Sequence, residues 1–217
     1  MKCFLHWLTE VLWPSGVKCL CCNNLSEGKC LCSSCQEGLE TMRLEADEQV
    51  TGHALSVYRY DGVPKQLVRL LKEECVADAA EALANGMEHA IREIALPANT
   101  VFTWVTMPER RRKARGIDHG RKLCEALARR MEHPCRQLLS RTGHLHTQRG
   151  LNREARLRNL SGSLHCHESI SEPVLIIDDV MTTGATAMAC TEILLAAGAP
   201  QVYVVTATKA MLKKQKN

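Results

Sequence analysis

Two stretches of the 217-residue chain hold residue types at spacings that do chemistry. The first is Val174-Leu175-Ile176-Ile177-Asp178-Asp179-Val180-Met181-Thr182-Thr183-Gly184-Ala185-Thr186. Its two adjacent carboxylates are acceptor-only groups, suited to sugar hydroxyls or to a hydrated divalent cation. The Thr/Gly run after them supplies hydroxyls and unpaired backbone N–H groups. Where such a run opens a helix, the helix dipole adds to its attraction for an anion. A phosphate cradle joined to two hydroxyl-accepting acids describes a site for ribose 5-phosphate.

The second stretch is Cys19-Leu20-Cys21-Cys22, followed by Cys30-Leu31-Cys32-Ser33-Ser34-Cys35. Cys19-x₂-Cys22 and Cys32-x₂-Cys35 are paired so that each bites one face of a tetrahedral thiolate site. Four thiolates saturate zinc and leave no open position, which makes the metal structural. Cys21 and Cys30 are near enough in sequence to replace a neighbour. The intervening Asn23, Asn24, Ser26, Glu27, Gly28 and Lys29 are too polar for a core, and no strand and helix flank the pairs as a redox Cys-x-x-Cys requires.

The elements that must position these groups follow from the hydrophobic pattern. Val174 to Ile177 is an unbroken apolar run, as in a strand buried on both faces, and it is expected to end at the two acids. A helix is expected from Ala187 to Ala197, stopped by Gly198. Upstream, residues 54–60 alternate as a strand, Asp61-Gly62 reads as a turn, and Pro64 opens a helix with Leu67, Val68, Leu70 and Leu71 on one face and Lys72 at its far end. A second helix runs from about Asp78 to Ile94. Val101 to Met107 is another apolar strand, and a helix follows from His119 to about Met131. With the strand at 202–207, strands and helices alternate, which predicts an α/β fold: a doubly wound, mostly parallel sheet with its site at the strand carboxyl ends.

Pro108 ends the strand at 101–107, and Glu109-Arg110-Arg111-Arg112-Lys113-Ala114-Arg115-Gly116 comes next. Arg111, Arg112 and Arg115 are expected to bind a pyrophosphate, because guanidinium donates paired hydrogen bonds to phosphate oxygens. Residues 141–160 are basic and poor in large apolar side chains, and read as an arm that closes over the site. The pairs His144/His146 and His165/His167 read as incidental.

Hydrophobic content of 45% and charged content of 24% are those of a globular protein, and no apolar run approaches a membrane span. Residues 1–14 hold His6 and Glu10 among their apolar side chains and no cleavage pattern, so no signal peptide and a cytoplasmic location are expected. The net charge of +4 is unevenly spread: −5 over residues 1–100, +10 over 101–160 and −1 over 161–217. The cationic middle points to a polyanionic partner, either a diphosphate-bearing substrate or nucleic acid. Four segments are expected: an amphipathic lead (1–16), a four-cysteine zinc module (17–40), the α/β domain (50–210) and a basic tail (211–217).

The acid-and-threonine segment resembles the signature of type I phosphoribosyltransferases, strand-Asp-Asp-Val-x-Thr-Thr-Gly-x-Thr, at every position. The resemblance implies that Asp178 and Asp179 hold the ribose 2′ and 3′ hydroxyls of phosphoribosyl pyrophosphate. Val180, Met181, Thr182, Thr183, Gly184, Ala185 and Thr186 would wrap its 5′-phosphate. The wider order of motifs resembles the ComF/GntX family: the zinc pairs, Tyr60-Asp61-Gly62 with Lys72, Arg115-Gly116, then Gln148/Leu151 and Arg156/Asn159. The chain departs from that family at Ile117-Asp118-His119, where Phe-Asn-Gln is usual. This likeness implies a phosphoribosyltransferase-like fold behind a zinc module, structural zinc, and Mg²⁺ arriving with a diphosphate substrate. It also implies a link to DNA uptake in competence and use of external DNA, with single-stranded DNA and a competence helicase as partners. Three functions are then open: phosphoribosyl transfer, an enzyme of the glycosyltransferase class; a non-catalytic single-stranded DNA-binding protein; and a ligand sensor that kept the fold. Aromatic content of only 4% supplies few stacking platforms for the second.

Overall fold

The computed structural model describes residues 18–45, 49–51, 54–74, 76–108, 118–141 and 163–211. Its centre is a five-stranded sheet in the order β1-β2-β7-β6-β3, built from β1 (Val50–Thr51), β2 (Ala54–Arg59), β3 (Val101–Trp104), β6 (Val174–Met181) and β7 (Val202–Lys209). β2, β7, β6 and β3 are mutually parallel, and only the short β1 runs antiparallel at the edge. The expected α/β class and mostly parallel sheet are what the strand register shows. β6 is the central scaffold, paired with β7 on one side and β3 on the other, so Val174, Leu175, Ile176 and Ile177 are completely buried. That explains the apolar run without alternation.

Helices cover both faces of the sheet. On one face lie α3 (Ala77–Arg92) and α4 (His119–Met131), whose Leu83, Met87, Leu123 and Leu127 share a core with Leu175 and Ile177 of β6. On the other lies α5 (Ala185–Ala196), whose Ala189, Cys190 and Leu194 pack with Val174 and Ile176. The chain changes face after α4. Residues 134–136 run alongside β3, with Phe102 N donating to Pro134 O and Arg136 N to Phe102 O, and a small β4–β5 ribbon (Ser140–Arg141 with Leu164–His165) packs near α5. Gly86 lets α3 sit on β2, since a Cβ there would fall 1.7 Å from the Tyr58 hydroxyl.

The cysteine segment is packed into this body. It closes with α1 (Ser33–Glu40), and Cys19, Leu31 and Leu39 join the same buried cluster as Leu67, Val68 and Leu71. Those last residues come from α2 (Gly62–Arg69) and the π-helical turn Leu70–Glu74 that continues it. α2 begins two residues before Pro64, because Asp61 is not in a free turn: its carboxylate caps the helix by accepting from Gly62 N at 2.9 Å. The segments read from sequence as a lead (1–16), an arginine run (110–115), most of the basic arm (142–160) and the end of the tail (212–217) lie outside the described residues.

Candidate functional site

Strand β6 does not stop at the acids, contrary to the sequence expectation. It runs on through Asp178 and Asp179 to Met181, since β7 is long enough to pair with all of it: Asp178 opposite Thr206, Val180 opposite Thr208 and Met181 opposite Lys209. Thr208 Oγ1 donates to Asp179 O at 2.8 Å and fixes the extension. The period of two then sends the acids to opposite faces, Asp179 with Ile177 toward α3 and α4, and Asp178 with Ile176 toward α5.

Asp179 is buried and meets two basic side chains. Lys72 Nζ lies 2.9 Å from Oδ1 and His119 Nε2 lies 3.0 Å from Oδ2. The imidazole contact is a close approach outside hydrogen-bond alignment, which leaves Oδ2 a buried acceptor with no aligned donor from the described residues. Burial pushes this carboxyl up, but the His119 contact and the Lys72 charge outweigh it and hold the group below the ordinary carboxylate range.

Each of the two is aimed by a local feature. Leu67, Val68, Leu70 and Leu71 are all buried on one face of this segment. The helix widens to a π turn at Leu70–Glu74, and Lys72 at its centre reaches β6. His119 opens α4, whose N-cap is Asp118. The Asp118 carboxylate accepts from Arg121 N at 3.3 Å with Oδ1 and from Trp104 Nε1 at 3.1 Å with Oδ2, tying the helix start to the end of β3.

Asp178 has different surroundings. It is half-buried, and its Oδ1 accepts from Asp179 N at 2.9 Å. Burial and then the Asp179 charge raise its carboxyl to about 7, only partly offset by that hydrogen bond and by Lys72. The turn after β6 holds exposed Thr182 and Thr183 and then Gly184, whose φ of +78° places it in the left-handed region. α5 starts at Ala185, two residues earlier than the pattern suggested. Its first turn has no acidic residue, and its N-cap makes no side-chain hydrogen bond; only Thr183 Oγ1 approaches, at 3.5 Å from Ala185 N. The result is a twelve-residue helix whose leading amides open beside the acids, with Ala185 buried and Thr186 half-buried.

The four sequence-predicted ligands come together as well. The Sγ atoms of Cys19, Cys22, Cys32 and Cys35 all lie within 4.8 Å of one another, and those of Cys22 and Cys32 are 3.5 Å apart. Zinc–sulfur bonds in a tetrahedron set sulfurs about 3.8 Å apart, so this donor set fits zinc. Burial raises the Cys19 thiol, yet the amides of Cys22, Cys32 and Cys21 and the Cys35 thiol bring it down to about 6. Cys21 and Cys30 are outside the cluster, and the Cys21 carbonyl instead accepts from Gln66 Nε2 of α2 at 2.7 Å.

Lys72 and His119 are the two contributions whose partner the sequence did not disclose. A lone lysine on a helix and a histidine in a divergent motif look like solvated residues. Arg111, Arg112 and Arg115 lie outside the described residues. A groove of about 660 Å³ opens elsewhere, between Leu25–Ser33 and residues Glu81 and Asn85 of α3 with Arg130 of α4; none of its lining comes from β6 or α5. No helix among the described residues is long and apolar enough to cross a membrane.

No family model matches the chain. It is 26% identical over 215 residues to DNA utilization protein YhgH of Escherichia coli O6:H1 (strain CFT073), covering 93% of this chain and 94% of the relative, and equally so to the YhgH of strain K12. The chain is thus a distant homologue of these proteins, in keeping with the ComF/GntX resemblance of its motifs. Among solved structures it is similar to a glutamine phosphoribosylpyrophosphate amidotransferase from B. subtilis complexed with ADP and GMP (TM-score 0.44, 18% identity). That match covers 64% of this chain but spans only 30% of the amidotransferase. A hypoxanthine phosphoribosyltransferase from Staphylococcus aureus is similar at TM-score 0.38 and 14% identity, over 64% of this chain and 71% of the other.

Proposed function

We propose that this ComF/GntX-like chain binds a ribose 5-phosphate, with phosphoribosyl pyrophosphate as its leading candidate, at the carboxyl end of β6. The observation that carries the reading is the junction itself: two strand-borne carboxylates followed, across the five residues 180–184, by a helix N-terminus whose N-cap residue makes no side-chain hydrogen bond. Backbone amides from Val180 to Thr186 receive the 5′-phosphate, and the Thr182, Thr183 and Thr186 hydroxyls extend the cradle. Asp179 is kept ionised by Lys72 and His119 and accepts a ribose hydroxyl. Asp178 serves the neighbouring hydroxyl.

Mg²⁺ would accompany the diphosphate and neutralise part of its charge, with Arg111, Arg112 and Arg115 as its protein counterparts. Cys19, Cys22, Cys32 and Cys35 would hold a zinc ion that has no open coordination position and therefore acts on structure. Whether the site transfers the phosphoribosyl group is decided by pyrophosphate release in the presence of nucleobases. A release above background assigns a glycosyltransferase; binding without release assigns a ligand-binding module.

Titration calorimetry with phosphoribosyl pyrophosphate and Mg²⁺ tests the binding. Micromolar affinity is expected, with a loss of roughly 100-fold in Asp179→Ala. Undiminished binding by that variant would remove the β6 site from the reading.

A second reading is supported by the homology to DNA utilization proteins and by the +10 charge of residues 101–160. In it the same protein contacts single-stranded DNA through its basic middle third, next to a competence helicase. Such binding would weaken steeply with salt and survive substitution of both acids.

A further inference from the structure

Two cysteines outside the four-thiol cluster meet where α4 packs on β3. The Sγ atoms of Cys124 and Cys135 lie 3.3 Å apart, in a hydrogen bond that either could donate, and neither is disulfide-bonded. Cys124 is wholly buried on α4, in the cluster that holds Leu123, Leu127 and Phe102. Cys135 is half-buried between exposed Pro134 and Arg136, so a small solute reaches it from solvent.

The backbone holds both sulfurs in this position. Cys135 sits on the strip beside β3, where Phe102 N donates to Pro134 O at 2.8 Å and Arg136 N to Phe102 O at 3.0 Å. The turn that joins this strip to α4 is closed by His133 N donating to Ala128 O, and the His133 ring stacks on Phe102 with centroids 4.8 Å apart. With both segments held, the remaining gap between the sulfurs is one that side-chain rotation closes.

We propose that Cys124 and Cys135 are a redox modification site, at which a peroxide converts the thiol pair to a reversible disulfide. With hydrogen peroxide, the Cys135 thiolate attacks one oxygen, the O–O bond breaks, and Cys135 becomes a sulfenic acid as hydroxide leaves. The Cys124 sulfur then gives up its proton, attacks the Cys135 sulfur and expels its hydroxyl as water. The pair loses two electrons and two protons in all, and one peroxide becomes two waters. The division of roles follows from the surroundings. Donation by the Cys124 thiol, helped by the Arg121 charge, holds the Cys135 thiol below its ordinary value against burial and the Glu125 charge. The same hydrogen bond and burial keep Cys124 protonated, as suits the thiol that waits for the sulfenic acid. The bond spans eleven residues and stiffens the helix whose first residue, His119, meets Asp179.

The test treats the full chain, purified without chelator, with hydrogen peroxide. Remaining thiols are capped with N-ethylmaleimide in denaturant, and the chain is digested with trypsin without reductant. Cleavage after Lys122, Arg129, Arg130 and Arg136 releases Leu123–Arg129 and Met131–Arg136, each with one cysteine. The expected product is these two peptides joined, two hydrogens lighter than their sum, and separated again by dithiothreitol. The thermal midpoint of the oxidised chain should rise by roughly 5 °C, from closure of a short loop. In Cys124→Ser, Cys135 should stop at the sulfenic acid and react with dimedone. In Cys135→Ser, Cys124 should stay reduced at the same peroxide dose, and neither variant should show the rise.

Capping of both thiols in peroxide-treated protein overturns the assignment, as does linkage of Cys135 mainly to some other cysteine. Oxidation of Cys124 as fast in Cys135→Ser as in wild type also overturns it. Where a serine variant does not fold, the linked peptides of the wild-type chain decide alone.

Discussion

Asp178 and Asp179 are joined by one peptide bond, yet the sheet gives them opposite surroundings. Asp179 faces α3 and α4, where a π turn and a capped helix start bring in Lys72 and His119. Asp178 faces α5, whose first turn carries no charged side chain, and its nearest stabilising contact is the amide of its neighbour. Burial acts on both. The His119 contact and Lys72 reverse it for Asp179, whereas for Asp178 the charge of Asp179 adds to it and the carboxyl rises to about 7. The same residue type, twice in a row, is therefore ionised on one face and close to half-protonated at neutral pH on the other. For a site that binds a diol, one acid is a committed acceptor and the second is able to hold or release a proton.

Breaking the comparison on the Asp179 side has the largest expected effect. Asp179→Asn removes the counter-charge shared by Lys72 and His119, and a loss of roughly 3 kcal/mol in folding stability at pH 7 is expected from urea denaturation. The pH dependence has a definite sign. A carboxyl held below its unfolded value contributes stability above about pH 4, and that contribution disappears as pH falls through the folded value. Wild type and Asp179→Asn should therefore converge toward acid pH. Parallel curves down to pH 3 would mean that Lys72 and His119 do not stabilise the ionised form.

Asp178→Asn should act in the opposite direction. With a folded value of about 7, the native state holds a proton that the unfolded chain has lost between about pH 4 and pH 7. Stability from this group falls as pH rises across that window and is level above it. The neutral asparagine removes the slope, and a gain of about 2 kcal/mol at pH 8 with little change at pH 4 is expected, after a discount for the partial exposure of the side chain. A loss of stability at pH 8 would place Asp178 in a hydrogen-bonded role that asparagine cannot fill.

The difference between the faces explains what the sequence disclosed. The apolar run of β6, the helix starts near 119 and 185, and the four clustered thiols all follow from local periodicity or spacing, and each stands close to where the pattern put it. The end of β6 does not follow locally, since its additional residues are held by pairing with β7 partners 28 residues downstream. Nor could the partners of Asp179 be read, because Lys72 and His119 are brought to it by a turn distortion and a helix cap from two separate crossings of the sheet. The side-by-side pair Asp178-Asp179 looks like one feature in a line of letters. A period of two makes it two features.

The cysteine module allows the finest division between the faces, because it touches only one of them. Its carbonyl at Cys21 receives the Gln66 amide, and Cys19, Leu31 and Leu39 pack with Leu67, Val68 and Leu71, the residues that lead into the Lys72 turn. α5 and the Thr182–Gly184 turn share none of these contacts. If the four cysteines hold zinc and the turn after β6 holds phosphate, as proposed, loss of the metal should loosen Lys72 without disturbing the phosphate site. Chelator-treated protein, or Cys32→Ser with its metal content measured, is expected to bind ribose 5-phosphate about fivefold more weakly and inorganic phosphate as before, a difference of about 1 kcal/mol. Equal weakening for both ligands would show that the module supports the whole sheet, and the two faces would then have to be treated as one cooperative unit.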